Sequence, residues 1–387
     1  MRPPAIEYQA PARAVPRGRP TNEYDGAAAS DGGFRPMKKL ATLAAALAVG
    51  LMSGAAHAAD KLKAAWVYVG PVGDFGYSYQ HDLGRKAVEK ALGDKVQTTY
   101  VENVPEGPDA ERAIERLARD GNKIIFTTSF GFMDPTIKVA KKYPDVKFEH
   151  ATGYKRADNV ATYSARFYEG RYVIGQIAGK MSKTNTVGYI VSFPIPEVVS
   201  GINAFMLGAQ SVNPNIKVKI VWVNSWYDPG KEADAAKVLI SQGADIMVQH
   251  TDSTAPLQVA QEKNILGFGQ SSDMAKFAPK AQITAITDDW DGYYIDRVKA
   301  VLDGTWKSKD TWDGMKEGMV VLPPIANVPD DVKKMAEETA AKIKAGTLKP
   351  FGGTITKQDG TTVKDLDDGA ILSMNWYVKG IDDKLPQ

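Results

Sequence analysis

The residues best placed to do chemistry lie in one stretch, Val69-Gly70-Pro71-Val72-Gly73-Asp74-Phe75-Gly76-Tyr77-Ser78-Tyr79-Gln80. Asp74 supplies a carboxylate, which accepts hydrogen bonds and seeks N–H or O–H donors. Phe75, Tyr77 and Tyr79 offer flat faces beside it. That pairing suits a flat, polar, nitrogen-bearing ring better than a phosphate. The glycines run G-x-x-G-x-x-G (Gly70, Gly73, Gly76), not the dinucleotide pattern G-x-G-x-x-G, and no Lys-Ser or Lys-Thr pair follows a glycine run as in a phosphate-binding loop. For the stretch alone, a tight turn with its aromatics tucked into the core is the competing interpretation.

The elements around it say where it sits. An apolar run at 64–69 predicts a strand, and 79–92 a helix, so the stretch is the loop at the carboxyl end of a first strand. In open α/β sheets that is where ligands bind. Further strands are predicted at 96–101, 123–128, 147–151 and 160–164, with helices at 109–120 and 134–142. A second series follows: helices at 170–181, 197–212, 231–242 and 256–262, and strands at 186–191, 216–224, 245–250, 266–270 and 282–287. A helix at 291–302 comes next. Strands alternating with helices imply parallel sheets covered on both faces. In the tail, 317–322 reads as a strand, 329–345 as an amphipathic helix, and 352–356 with 361–364 as a hairpin.

The loops after these strands repeat the chemistry of the first. They carry Ser129 and Phe130, Phe193, Trp226, Asp252, Asp273, and Asp288 with Trp290. One such loop is noise; six or seven at one end of two sheets are what a cleft lined for a flat ligand requires. Asp134-Pro135 reads instead as a helix N-cap, and Asp228-Pro229-Gly230 as a turn and helix start.

The chain of 387 residues is long enough for two domains. Met37-Lys38-Lys39, an apolar Ala-rich run at 40–51 and Ala56-His57-Ala58 form a secretory signal peptide, with residues 1–36 a Pro-, Arg- and Gly-rich extension expected from a misassigned start. The mature chain is expected to begin at Ala59. Removing 1–58 leaves 41 Lys/Arg against 42 Asp/Glu, a net charge near −1, so nothing points to nucleic acid as a partner. There is no cysteine, hence no disulfide and no lipid-anchored cysteine, and the expected location is the periplasm. The four histidines show no metal-binding spacing, and neither a metal nor a cofactor is expected.

Together these residues resemble the basic membrane protein family, the purine nucleoside receptor type of ABC-transporter substrate-binding protein. The resemblance runs from about Lys63 to Gly380. It is carried by the stretch 73–84, Tyr143-Pro144-Asp145-Val146-Lys147-Phe148, Phe167-Tyr168-Glu169-Gly170, Asp228-Pro229-Gly230-Lys231-Glu232, Gln242-Gly243-Ala244-Asp245-Ile246 and Ser373-Met374-Asn375-Trp376-Tyr377-Val378-Lys379-Gly380.

The resemblance implies an α/β type I periplasmic-binding-protein fold, two Rossmann-like lobes with parallel sheets joined by three crossovers. It implies a first lobe of 59–165 plus about 288–312, and a second of 166–287 plus about 313–387. It implies a monomer that closes on a purine base or nucleoside and delivers it to ABC permease subunits in the inner membrane. Carried over, Asp74, Tyr77, Phe193 and Asp273 fall at the family's ligand positions. Ser78 stands where the nucleoside binders have Asn, and the region 285–290 lacks their ribose-contacting Lys. A free base such as adenine is therefore expected over a nucleoside. A receptor for a sugar or another small ligand, and a chemosensory component, remain alternatives. So does an exported nucleoside hydrolase, although no G-x-S-x-G elbow is present.

Overall fold

A computed structural model describes residues 60–73 and 75–386. The signal-peptide and start-site expectations, and Asp74, lie outside the described residues. The first lobe opens with β1 (Leu62–Val67), α1 (Gly76–Leu92), β2 (Val96–Val101), α2 (Pro108–Arg119), β3 (Ile124–Thr127), α3 (Met133–Lys142), β4 (Lys147–Ala151) and β5 (Val160–Ala165). The chain then builds α4 (Phe167–Met181), β6 (Thr186–Val191), α5 (Pro196–Gln210), β7 (Lys217–Trp222), α6 (Pro229–Ser241), β8 (Ile246–His250), α7 (Ala255–Glu262), β9 (Leu266–Ser271) and β10 (Gln282–Asp288). It continues with α8 (Asp291–Leu302), β11 (Asp310–Asp313), β12 (Val320–Val321), α9 (Asp330–Lys344), β13 (Thr354–Thr356), β14 (Thr362–Lys364) and α10 (Asp368–Leu372).

The strands form two six-stranded sheets, ordered β11-β5-β4-β3-β1-β2 and β12-β10-β9-β8-β6-β7. Within these two sheets all pairs are parallel except β10 with β12, and β13 and β14 form a separate antiparallel hairpin. Central strands such as β3 and β8 are buried along their whole length, which is why they read as nearly continuous apolar runs. Their helices are amphipathic: α2 buries Ala110, Ile114, Leu117 and Ala118 on one face, and starts at Pro108, where a missing N–H costs nothing. Helices α4 and α5 cross closely because Gly175 and Gly208 present no Cβ; one added there would run into the carbonyls of Phe205 and Tyr172.

The chain crosses between the lobes three times: after β5, after β10 and after β11. After the second crossing, α8 packs on α1. Gly84 opens the space there, since a Cβ would lie 2.7 Å from the Tyr294 ring. The return is fixed by a buried carboxylate, Glu149 of β4. It accepts from Arg297 Nε at 2.5 Å, Tyr293 Oη at 2.6 Å and Trp306 Nε1 at 2.6 Å. The tail packs on the second lobe, where Asn203 of α5 donates to the Trp376 carbonyl at 2.7 Å and accepts from Val378 N at 3.0 Å.

Two expectations need correction, and two elements went unpredicted. The strand predicted over 317–322 shrinks to Val320–Val321, antiparallel at a sheet edge. Strand β11 and helix α10 gave no signal, because Asp-Thr-Trp-Asp has no apolar run and α10 has five residues. Asp134 caps nothing: it sits inside α3 and pairs with Lys155 at 2.6 Å.

Candidate functional site

Each sheet has the order 2-1-3-4-5 in its own parallel strands, so each has one point where the winding reverses: between β1 and β3, and between β6 and β8. Ligands of doubly wound sheets bind beyond the carboxyl ends at that point. The two switch points face each other across the lobes. A narrow cavity of about 30 Å³ lies between them, against the roughly 10–15 Å³ that a single water needs. Val69 and Tyr77 line it from the loop after β1 and the start of α1, Ser129 and Phe130 from the loop after β3, Ile195 and Glu197 from the start of α5, and His250 and Asp252 from the end of β8. Thr152, Phe167, Trp226 and Gln270 complete the wall. Phe130, Thr152, Phe167, Ile195 and Glu197 also line a larger chamber of about 240 Å³ on the hinge side, walled by Ser164, Ala165, Trp312 and the tail residues Ile371 and Leu372.

The lobes touch across this cleft. Gly76 N donates to Ser272 Oγ at 2.7 Å. Trp226 Nε1 donates to Glu106 Oε1 at 3.3 Å, and the same carboxylate takes Ser129 Oγ at 2.5 Å. The wall carries buried polar atoms without hydrogen-bond partners, Tyr77 Oη, Glu197 Oε2 and His250 Nδ1, and Arg171 and Asp288 are buried in the same electrostatic cluster. Buried polar groups are normally paired, so such a cluster marks a place for a ligand's own donors and acceptors.

Burial sets the protonation of this cluster. It pushes Asp252 well above the usual carboxylate range, with Glu232 and Glu197 adding to the effect. It does the same to Asp288, where Glu197 adds and Ser271 and Arg171 oppose. Glu197 is pushed up to about 8 by burial, against the pull of Arg171. His250 is driven well down by burial, with Arg171 contributing.

Of the sequence-predicted residues, Tyr77, Ser129, Phe130, Trp226 and Asp252 line the inner cavity. Asp288 stands buried within the same electrostatic cluster. Phe193 lies at the outer mouth, its ring tilted against Trp226 at 5.3 Å. Three do not line the cavity. Trp290 is fully buried in the first lobe, stacked on His81 at 4.6 Å, because the chain has already turned into α8. Asp273 is exposed and spent on Gln282 Nε2 at 2.6 Å and Ala275 N at 3.0 Å. Phe75, at φ 64°, stacks on Tyr79 at 4.5 Å and edges onto Phe277 of the second lobe at 4.9 Å. Sequence reasoning missed Glu197, His250, Arg171 and Gln270. A signal existed for two of them: Arg171 is a lone cation within the otherwise apolar face of α4, and His250 closes a buried strand.

Two doubly wound lobes hinged by three crossovers over an inter-lobe cavity define a two-lobed substrate-binding protein. The family model "ABC transporter substrate-binding protein PnrA-like" matches residues 61–349, and the chain belongs to that family, one of binding proteins rather than enzymes. The chain is 66% identical over 341 residues to the Purine-binding protein BAB2_0673 of Brucella abortus, covering 87% of this chain and 97% of that one. It is 36% identical over 328 residues to the Putative ABC transporter glucose-binding protein TsgA13 of Haloferax volcanii, covering 84% and 82%. A solved ABC-transporter solute-binding protein from Aeropyrum pernix superposes with a TM-score of 0.65 over 80% of this chain and 95% of its own, at 19% identity, a likeness of fold. Such proteins work outside the cytoplasm with permease partners, and no helix among the described residues is long and apolar enough to cross a membrane.

Proposed function

We propose that this protein is the periplasmic receptor of an ABC uptake system, and that it takes a purine, the free base in preference to the nucleoside, into the slot between the switch points. The observation that carries the proposal is the slot itself: narrow, faced by Tyr77, Phe130, Phe167 and Trp226, and floored by buried polar atoms without partners. A flat ring needs the least widening of such a slot. Base–aromatic stacking is worth about 1–3 kcal/mol per base. Stacking is unselective, so discrimination falls to Asp252, Asp288 and Glu197, and by the family carry-over to Asp74. Each such hydrogen bond adds about 0.5–1.5 kcal/mol. The printed name of the Brucella relative supports the purine assignment at high identity.

Closure is expected to swing the lobes, residues 59–165 with about 288–312 and 166–287 with about 313–387, about short segments near Ala165 and Asp288. Hinges of this type are a few residues at element ends. A second reading, a sugar receptor, draws on the Haloferax relative and on the hydroxyl-bearing wall of the hinge-side chamber, which includes Ser164, Ser200 and Thr311. Identifying the small molecule released when purified protein is denatured separates the two. A purine base supports the first reading, and a hexose overturns it.

A further inference from the structure

The slot contains more acid than it can hold charged. Glu197 and Asp252 line it, Asp288 is buried within the same electrostatic cluster, and the cation set against them among the described residues is Arg171. Two Arg171 nitrogens are already committed, donating to the Gln249 carbonyl at 2.9 Å and to the Gln270 side chain, and the residue does not line the slot. Ionised carboxylates offer acceptors only. A purine edge carries bare ring nitrogens beside its N–H groups, and an acceptor buried against acceptors loses its desolvation cost with no return. The slot therefore needs a donor beyond the Tyr77 hydroxyl.

Glu197 is the acid placed to supply it. It follows Pro196 at the start of α5, at the second lobe's switch point, and lines both the slot and the hinge-side chamber. Its Oε1 lies 3.5 Å from His250 Nε2, too far for a good hydrogen bond, and its Oε2 is buried without a partner. The groups that face it are Tyr77 from α1, Arg171 from α4, His250 from β8, Asp252 from the loop after β8 and Asp288 from β10. His250 brings no charge, because burial keeps its imidazole neutral. Arg171 and the amino end of α5 favour the ionised form. Burial opposes it and prevails.

We propose that Glu197 stands in the slot as a neutral carboxylic acid and donates its O–H to a bare ring nitrogen of the ligand, selecting purines by hydrogen-bond polarity. The proposal rests on the purine reading. The proton stays on the protein, and no bond to the ligand is made or broken. Above the carboxyl's own titration, a proton must be taken up before the ligand can be held.

Calorimetry with adenine, from about pH 6 to about pH 9, compares wild type with Glu197→Gln. The amide keeps a donor and does not titrate. In wild type, the Kd should be flat below about pH 8 and weaken about tenfold by pH 9, as one linked proton requires. In Glu197→Gln it should lie within about tenfold of wild type at pH 7 and stay flat. A flat wild-type profile, or the same slope in both proteins, overturns the proposal. Wild type alone provides a second readout, through binding heats at about pH 9 in buffers of differing ionisation enthalpy. Uptake of close to one proton supports the proposal, and zero uptake overturns it. Absence of adenine binding by wild type at every pH instead overturns the purine reading itself.

Discussion

Trp226 of the second lobe donates its indole N–H to Glu106 of the first at 3.3 Å, and Glu106 in turn accepts from Ser129 Oγ at 2.5 Å and Gly131 N at 3.0 Å. One carboxylate thus ties the loop after β3 to the opposite lobe at the mouth of the slot. Trp226→Phe keeps the aromatic body and removes the donor. Bound ligand should dissociate faster, and adenine affinity should fall by up to about tenfold, or 1.4 kcal/mol, because the bond is partly solvated. Stopped-flow dissociation measures it, and an unchanged rate would mean that the bond does not hold the lobes together.

Tyr77 and Trp290 both follow strands, but the fold sends them to different places. Tyr77 faces the slot, and Tyr77→Ala should cost about 1–3 kcal/mol in adenine affinity. Trp290 is a core side chain on His81. Trp290→Ala should cost about 3–5 kcal/mol of folding stability, while the folded protein retains its adenine affinity. Calorimetry and urea unfolding on both variants make the comparison. A loss of affinity in folded Trp290→Ala would return that residue to the cleft.

Glu149 holds α8 against the first sheet through Arg297, Tyr293 and Trp306. Glu149→Ala leaves Arg297 buried without its partner. Breaking a buried pair from one side costs about 3–5 kcal/mol, and the urea midpoint should drop accordingly. A shift within experimental scatter would mean that water replaces the carboxylate.

His150 is buried and shares its Nδ1 with Thr127 Oγ1 at 2.9 Å. Burial lowers its titration from 6.5 to about 3. The folded value lies below the unfolded one, so between them the unfolded chain binds a proton that the folded chain refuses. The stability from this residue is complete above about pH 6.5 and is lost as pH falls toward 3. Glu197 acts with the opposite sign: its raised value makes the folded chain hold a proton the unfolded one releases, a contribution complete below about pH 4.5 and lost as pH rises toward about 8. Urea unfolding across this range should therefore show a smaller acid loss in His150→Gln than in wild type. Equal slopes would show that His150 is protonated in place.

The lobes were legible because apolar strand runs alternate with amphipathic helices, and the periods 2 and 3.6 leave distinct patterns. The site was legible only by position. Strand-end loops point to the cleft as a class, but an aromatic at a strand end looks the same whether it turns to the ligand, as Tyr77 does, or folds under a returning helix, as Trp290 does. Asp273 and Asp252 are alike in sequence context, yet Gln282 claims the first. Glu197 was hidden by good helical context: it reads as a helix residue, and its burial opposite the first lobe appears only once the chain has crossed.

The most direct measurement of the central claim is calorimetry of ligand-stripped wild type against adenine, adenosine and glucose. Adenine should bind one to one, more tightly than adenosine, and glucose should give no heat. Tight adenosine without free-base binding would refute the preference for the base, and glucose binding with no response to either purine would contradict the purine slot altogether.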